Sequence, residues 1–387
     1  MSEPAHALPV VVAARRTPIA GKGAQLAEVT VERLAAPVVR ACVDDAARAT
    51  ATPLEIGDVV LGNCMGPGGN IARLSALAAG LDVSVPGMTL DRQCGSGLAA
   101  IVTAADAIRA GDARARIAGG TESASTAPTR IAGGVAYTRA PFAPAGFADP
   151  DMVRAAQDLA VRDAVSRDRQ DRYAARSHRL ASATRERGGF DDELVPLDGL
   201  TRDSGPRPRI PTMLDRFPAL FPDAADGGTV TAGNSCRNSD GAAAVAIVPA
   251  GARGGAPGLA LVASATVGCD PALPGIGPVP AVETLLRGAG VTLADVAAVE
   301  IVEAFAAQTL AVLTRLGLAA GDEVDDRVCA DGGALALGHP WGASGAVGVV
   351  RLFSRLVRSG APAGTLGLAT AAVGGGIGVA ALFEVVR

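Results

Sequence analysis

At 387 residues the chain is too long for one ordinary domain and suits two or three, and 49% hydrophobic residues supply enough apolar surface to bury a large core, which excludes wholesale disorder. A net charge of -4 and 3% aromatic residues provide neither a basic footprint nor stacking platforms, so nucleic acid is not an expected partner. Lys22 is the only lysine; Schiff-base or pyridoxal phosphate chemistry would rest on it alone, and its GKG setting reads as a solvated loop.

In chain order, the first element is an apolar run from Ala7 to Ala14, with Arg15 and Arg16 after it. It is too short to span a bilayer, and its charges follow rather than precede it, unlike a signal peptide. The run PVVVAA from Pro9 predicts a strand, Thr30 to Ala49 a helix, DVVLGN from Asp58 a strand and the residues near Ala72 another helix. Short β-branched runs alternating with helical patterns predict an α/β protein with buried sheets. A strand over Val85 to Leu90 then leads into DRQCGSGLAA, a helix and the strand ARIAG.

From Thr121 to Gly228 the chain turns polar, arginine-laden and rich in Pro, Gly and Asp, with one clear helical stretch, Asp168 to Glu186. This predicts a loop domain over 121–228, inserted between an N-terminal half (1–120, completed by about 229–258) and a C-terminal half (259–387). The two halves share a plan. Cys94 precedes a helix, a short loop, a strand and a Gly pair; His339 precedes a helix, a longer loop, the strand TLGLATAAV and Gly374-Gly375-Gly376. Two stacked copies of one α/β unit explain this.

A thiol at a helix N-terminus meets unpaired N–H groups and the positive end of the helix dipole, which predicts a lowered pKa for Cys94. His339, at the matching turn of the second copy, could hold a thiolate or stabilise an oxyanion, and the glycines at 374–376 could aim bare N–H groups at developing charge. The remaining cysteines, Cys42, Cys64, Cys236, Cys269 and Cys329, form no CxxC pair, and only His6 and His178 remain as further nitrogen ligands. No metal site is expected. The sequence also lacks GxGxxG, GxxxxGK[ST] and GxSxG, the usual markers of dinucleotide, P-loop and serine-hydrolase chemistry. The expected setting is the cytoplasm, with reduced thiols and no membrane span.

Seven ordered motifs together resemble the thiolase family across nearly the whole chain: VVVAARRTPIA at Val10, DRQCGSGLAA at Asp91, AGGTESAS at Ala118, TAGNSCRNSDGAAA at Thr231, VEAFAAQ at Val302, GGALALGHPWGASG at Gly332 and GGGIGVA at Gly374. The resemblance implies a five-layered αβαβα sandwich of two similar halves, assembled as a homodimer or homotetramer. It implies an acyl-CoA acyltransferase with no prosthetic group, coenzyme A entering as part of the substrate. Cys94 would take the acyl group, His339 would activate it, and the backbone N–H groups of Cys94 and Gly374 would form an oxyanion hole.

Two positions depart from the family pattern. Ala372 stands where most members carry a second cysteine that moves the proton on the substrate α-carbon, and Val302 stands where an asparagine helps position a water. A lost general acid/base costs on the order of 10²–10⁴-fold in rate. The open routes are a relocated base (Cys329, Glu303 or a bound water), a decarboxylating acceptor, or an oxygen, nitrogen or sulfur acceptor. Ordinary CoA-dependent β-ketoacyl-CoA cleavage and a catalytically silent partner subunit are the alternatives. At the pantetheine contacts the usual His-Met-Gly reads Asp151-Met152-Val153, and the expected serine falls on Ser235 or is replaced by Cys236.

Overall fold

The computed structural model describes residues 8–51, 53–224 and 227–387; His6 and the start of the first apolar run lie outside them. The elements of the first half are β1 (Pro9–Arg16), β2 (Ala20–Gly21), α1 (Val31–Thr50), β3 (Ile56–Gly62), α2 (Ile71–Ala78), β4 (Gly87–Leu90), α3 (Ser96–Arg109) and β5 (Ala115–Ser123). A hairpin, β6 (Arg130–Ala132) and β7 (Val135–Tyr137), and the helices α4 (Met152–Arg162) and α5 (Arg167–Glu186) follow, before β8 (Ser239–Pro249) returns to the first sheet. The rest is β9 (Gly258–Gly268), α6 (Pro278–Ala289), β10 (Val296–Ile301), α7 (Ala306–Arg315), a small hairpin β11 (Ala319–Ala320) and β12 (Glu323–Val324), α8 (Ala334–Leu337), α9 (Trp341–Leu352), β13 (Leu366–Val373) and β14 (Ile377–Val386).

The two halves repeat one pairing scheme. In the first, β3 lies parallel to β5, and β5 and β8 are antiparallel. In the second, β10 lies parallel to β13, and β13 and β14 are antiparallel. A short seam, Val10 opposite Ala260 and Val11 opposite Leu259, joins the halves into one ten-stranded array.

Strand residues alternate between faces, and here both faces are buried, which is why the strands read as near-continuous apolar runs. On β8, Ala243, Val245 and Ile247 face a central core shared with α3 and α9, while Ala242, Ala244, Ala246 and Val248 face an outer core under α1 and α2. On β14, Val379, Ala381 and Phe383 face the same centre, while Ala380 and Leu382 face a second outer core under α6 and α7. The layers are therefore α, β, α, β, α, with α3 and α9 sandwiched in the middle.

Those two helices cross closely because glycines meet there. A methyl group on Gly97 would lie 2.8 Å from the Gly342 carbonyl oxygen, and one on Gly345 would lie 2.8 Å from Leu98. Such contacts admit no side chain, so small residues at both helix starts are a packing requirement.

Two expectations need correction and a third holds. The inserted region carries a second helix, α4, whose start is capped by Asp151 accepting from the Val153 N–H at 2.9 Å. The helix after His339 is not uniform; its last turns, Phe353–Arg358, are π-helical. Lys22 is exposed, as its sequence setting predicts. No helix among the described residues is long and apolar enough to cross a membrane.

Candidate functional site

The Cys94 turn lies just ahead of α3. Gln93–Gly95 forms a 3-10 turn, with Gln93 at a φ of 45°, in the left-handed region. The turn is held by its neighbours: the Gln93 N–H donates to Asp91 at 2.7 Å, and the Ser96 hydroxyl accepts from the Arg92 N–H at 2.8 Å while donating to the Gln93 carbonyl at 2.6 Å. A methyl group on Gly95 would fall 2.8 Å from a Val373 methyl. The turn is thus pressed against the end of β13, where Ala372 and Gly374 lie.

His339 comes from the matching place in the second half. Its N–H donates to the Arg237 carbonyl at 2.9 Å, and it pairs as a parallel bridge with Asn238. The imidazole Nε2 lies 3.3 Å from the Cys94 sulfur, and Nδ1 lies 2.6 Å from the Ser344 hydroxyl. Ser344 in turn donates to the Pro340 carbonyl at 3.2 Å. With its own proton so committed, the Ser344 oxygen accepts Nδ1–H, and Nε2 is left as the unprotonated nitrogen facing the thiol.

Both groups are uncharged. Burial pushes the Cys94 thiol up to about 12, with Glu122 and Asp91 adding to the effect, and burial lowers the His339 imidazole to about 4. This overturns the expectation of a lowered Cys94 pKa. The helix dipole acts at the first turn, but the thiol lies in the turn before it, partly buried and without a cation beside it. The pair is a neutral thiol poised on a neutral base, so deprotonation accompanies attack.

Glu122, unremarked in the sequence motif AGGTESAS, supports this arrangement from below. Its buried carboxylate accepts from the N–H groups of Cys64, Met65 and Gly342, each at 3.0 Å, tying the first half to the first turn of α9. Ser344 was equally hidden inside GASG. Its only sequence signal is a hydroxyl five residues after the histidine, one helical turn into α9.

The other candidates fall in different places. Glu303 is buried and saturated, accepting from Tyr173 at 2.8 Å, Ser177 at 2.7 Å and the Leu335 N–H at 3.2 Å. Cys329, also buried, donates to the Ile301 carbonyl at 3.4 Å. Val302 and Ala372 are buried, Val302 donating its N–H to the Thr370 carbonyl at 3.1 Å. Ser235 spends its hydroxyl on the Thr231 carbonyl at 2.7 Å, and the Cys236 N–H donates to the Ala304 carbonyl at 3.0 Å. Met152 opens α4 and packs against the outer core.

The inserted region supplies a wall. A methyl group on Gly374 would lie 2.7 Å from the Phe142 ring, and the Arg139 guanidinium stacks over that ring at 4.7 Å. Arg139 is itself fixed by Asp149 at 2.7 Å.

Comparison with known proteins gives the family. The N-terminal domain of thiolase matches residues 9–251 and the C-terminal domain of thiolase matches residues 256–385. This chain belongs to the thiolase family. As a thiolase-family member it is an acyltransferase of the α/β class. Its relatives include a Staphylococcus epidermidis protein named "Putative acetyl-CoA C-acetyltransferase VraB", 39% identical over 97% of this chain and 98% of that one. The likewise named YhfS of Bacillus subtilis is 41% identical over 97% of this chain and 99% of its own. The crystal structure of the Bacillus anthracis acetyl-CoA acetyltransferase superposes with a TM-score of 0.87 at 34% identity, covering 100% of both chains.

Proposed function

We propose that this thiolase transfers acyl groups from coenzyme A thioesters through an acyl-enzyme on Cys94, passing them to CoA or to a carbon or heteroatom acceptor with an altered acid/base apparatus. The observation that carries the reading is the 3.3 Å approach of His339 Nε2 to the Cys94 sulfur, with Ser344 fixing the tautomer. Nε2 takes the thiol proton as sulfur attacks the thioester carbonyl; the carbonyl oxygen becomes an oxyanion between the N–H groups of Cys94 and Gly374; the C–S bond to CoA breaks, and CoA leaves as the protonated thiol. Oxyanion donors of this kind are worth on the order of 10²–10³-fold each.

The names of the relatives point to acetyl-CoA as donor. Coenzyme A enters and leaves as substrate, and acyl loading by thiol, imidazole and backbone N–H groups calls on no prosthetic group. The six free cysteines fit a reducing cytoplasm, and the reading has the enzyme working as a homodimer or homotetramer. Intact-protein mass after incubation with acetyl-CoA and longer acyl-CoAs tests the proposal. One acyl adduct, lost in Cys94→Ala, is expected; no adduct across the panel would instead favour a silent subunit.

A further inference from the structure

Forming or breaking a carbon–carbon bond next to a thioester requires a group that moves a proton on the acceptor α-carbon, and neither Ala372 nor Val302 has one. The inference below rests on the acyl-enzyme reading and names that group. Among the titratable side chains that act on Cys94, Asp91 is exposed and accepts from the Gln93 N–H at 2.7 Å and the Gln93 side-chain amide at 3.4 Å. Glu303 already accepts three hydrogen bonds, from Tyr173, Ser177 and the Leu335 N–H. Glu122 is likewise saturated by the N–H groups of Cys64, Met65 and Gly342 and by the Asn63 amide at 3.0 Å.

Three of the other thiols are committed to carbonyls: Cys42 to Ala244 and Cys64 to Gln93, each at 3.1 Å, and Cys329 to Ile301 at 3.4 Å. Cys269 is half-buried beside Asp270, whose charge adds to the effect of burial in raising its thiol. Cys236 is different. It lies in a segment stitched to both sides of the site: Ser235 bridges Phe305, the Cys236 N–H bonds to Ala304, and the Arg237 carbonyl accepts the His339 N–H at 2.9 Å. Asn238 and His339 are bridge partners, whose side chains share a face, and Cys236 stands two residues before Asn238 along the same segment. Burial pushes the Cys236 thiol up, and Cys94 adds to the effect, as it does at Cys64; what sets Cys236 apart is its place in the segment that pairs with His339. Among the described residues no neighbouring side chain takes up its S–H.

We propose that Cys236 is the acid/base that exchanges the α-carbon proton of the acceptor acyl-CoA. In the loading half-reaction, His339 takes the Cys94 proton, Cys94 becomes acylated, and the departing CoA thiolate takes its proton from Cys236, leaving a Cys236 thiolate. In the second half-reaction that thiolate removes a proton from the acceptor α-carbon. The carbanion attacks the acyl carbonyl, the C–S bond to Cys94 breaks, and the histidinium returns its proton to Cys94. Two acyl-CoA molecules become one β-ketoacyl-CoA and one free CoA, with every proton accounted for; thiolysis is the reverse.

The test compares wild type, Cys236→Ala and Cys236→Ser in two assays: acylation of Cys94 by acetyl-CoA, read by intact mass, and thiolysis of acetoacetyl-CoA. Both variants are expected to form the Cys94 adduct more slowly than wild type, because the CoA thiolate must then take its proton from solvent, but still to form it, with urea melts showing that they fold, while thiolysis falls on the order of 10²–10⁴-fold. Deuterium uptake at the α-carbon of acetyl-CoA in D2O should fall in parallel. Thiolysis within about threefold of wild type in Cys236→Ala, or restored to that level by serine, would overturn the assignment, because serine keeps a contact but is too weak an acid to carry this proton. Failure of the wild type to acylate at Cys94 would overturn the acyl-enzyme reading itself, and the assignment with it.

Discussion

Two buried polar clusters lie in this molecule, and they are built on opposite principles. At the Cys94–His339 pair a buried imidazole and a partly buried thiol are left neutral. At the junction of β1, α9 and the inserted region, five charges are stripped of water and kept. Arg16 donates to Glu193 at 2.7 Å and in a two-pronged contact to Asp203 at 2.7 and 2.8 Å; Arg351 bridges Glu193 and Asp331; and both guanidinium groups stack on the Phe190 ring, Arg16 at 5.3 Å and Arg351 at 4.7 Å. Against the burial that would lower it, Asp203 and Glu193 hold the Arg16 guanidinium above its ordinary range. Charges that are mutually satisfied fix geometry and cannot readily exchange protons; neutral groups left one hydrogen bond apart can.

The sharpest break of that comparison is a pair of substitutions with opposite signatures. Cys94→Ala should remove acyl transfer by on the order of 10⁴-fold or more, while leaving the urea midpoint within the ordinary scatter of a small substitution. Glu193→Ala should do the reverse. It takes one of two carboxylate partners from each of the buried Arg16 and Arg351, where the lost partner costs about 3–5 kcal/mol, read as a lower urea midpoint with residual activity tracking the folded fraction. Stable Glu193→Ala protein with wild-type midpoint would show that the clamp is ornamental.

A smaller effect separates buried neutral groups from buried charges through pH. Burial, with Arg237 and Arg207 adding, lowers His178 to about 4. Above 6.5 neither state holds the extra proton. As pH falls from 6.5 toward 4 the unfolded chain takes it and the folded chain refuses, so stability drops, by about 1.4 kcal/mol per pH unit at most, and levels below 4. His178→Asn, which keeps an acceptor for the Arg207 N–H, should therefore lose about 2 kcal/mol less than wild type between pH 7 and pH 5 in urea melts. An unchanged pH dependence would mean that His178 titrates normally. Smallest of all is Arg172→Ala, which breaks an exposed pair with Asp322 at 2.7 Å; its expected cost is about 0–1 kcal/mol, a baseline for the other variants.

Much of the neutral cluster was legible in the sequence, and almost none of the charged one. Cys94 and His339 stand at repeated strand-to-helix turns among glycines, a local pattern that one sequence carries on its face. The layering followed from apolar runs buried on both sides. The ionisation state of Cys94 did not, because burial is a sum over distant neighbours such as Val373, while the helix-start rule sees only the adjacent residues. Arg16, Glu193, Asp203 and Arg351 are separated by up to hundreds of positions in an arginine-rich chain, and nothing local tells a clamped arginine from a solvated one. Helix α4 was lost for a related reason: its polar face and the Pro and Asp residues before it resemble the loop around them.

The crossing of α3 and α9 works as a spacer gauge. Cys94 precedes one helix and His339 precedes the other, so their separation is fixed by how closely Gly97 and Gly345 let the two helix backbones approach. A methyl group added at Gly97 would act as a shim. It would leave the thiol, the imidazole and Ser344 chemically untouched, yet lengthen the gap a proton has to cross, so the reactivity of this pair is written partly in side chains that are not there.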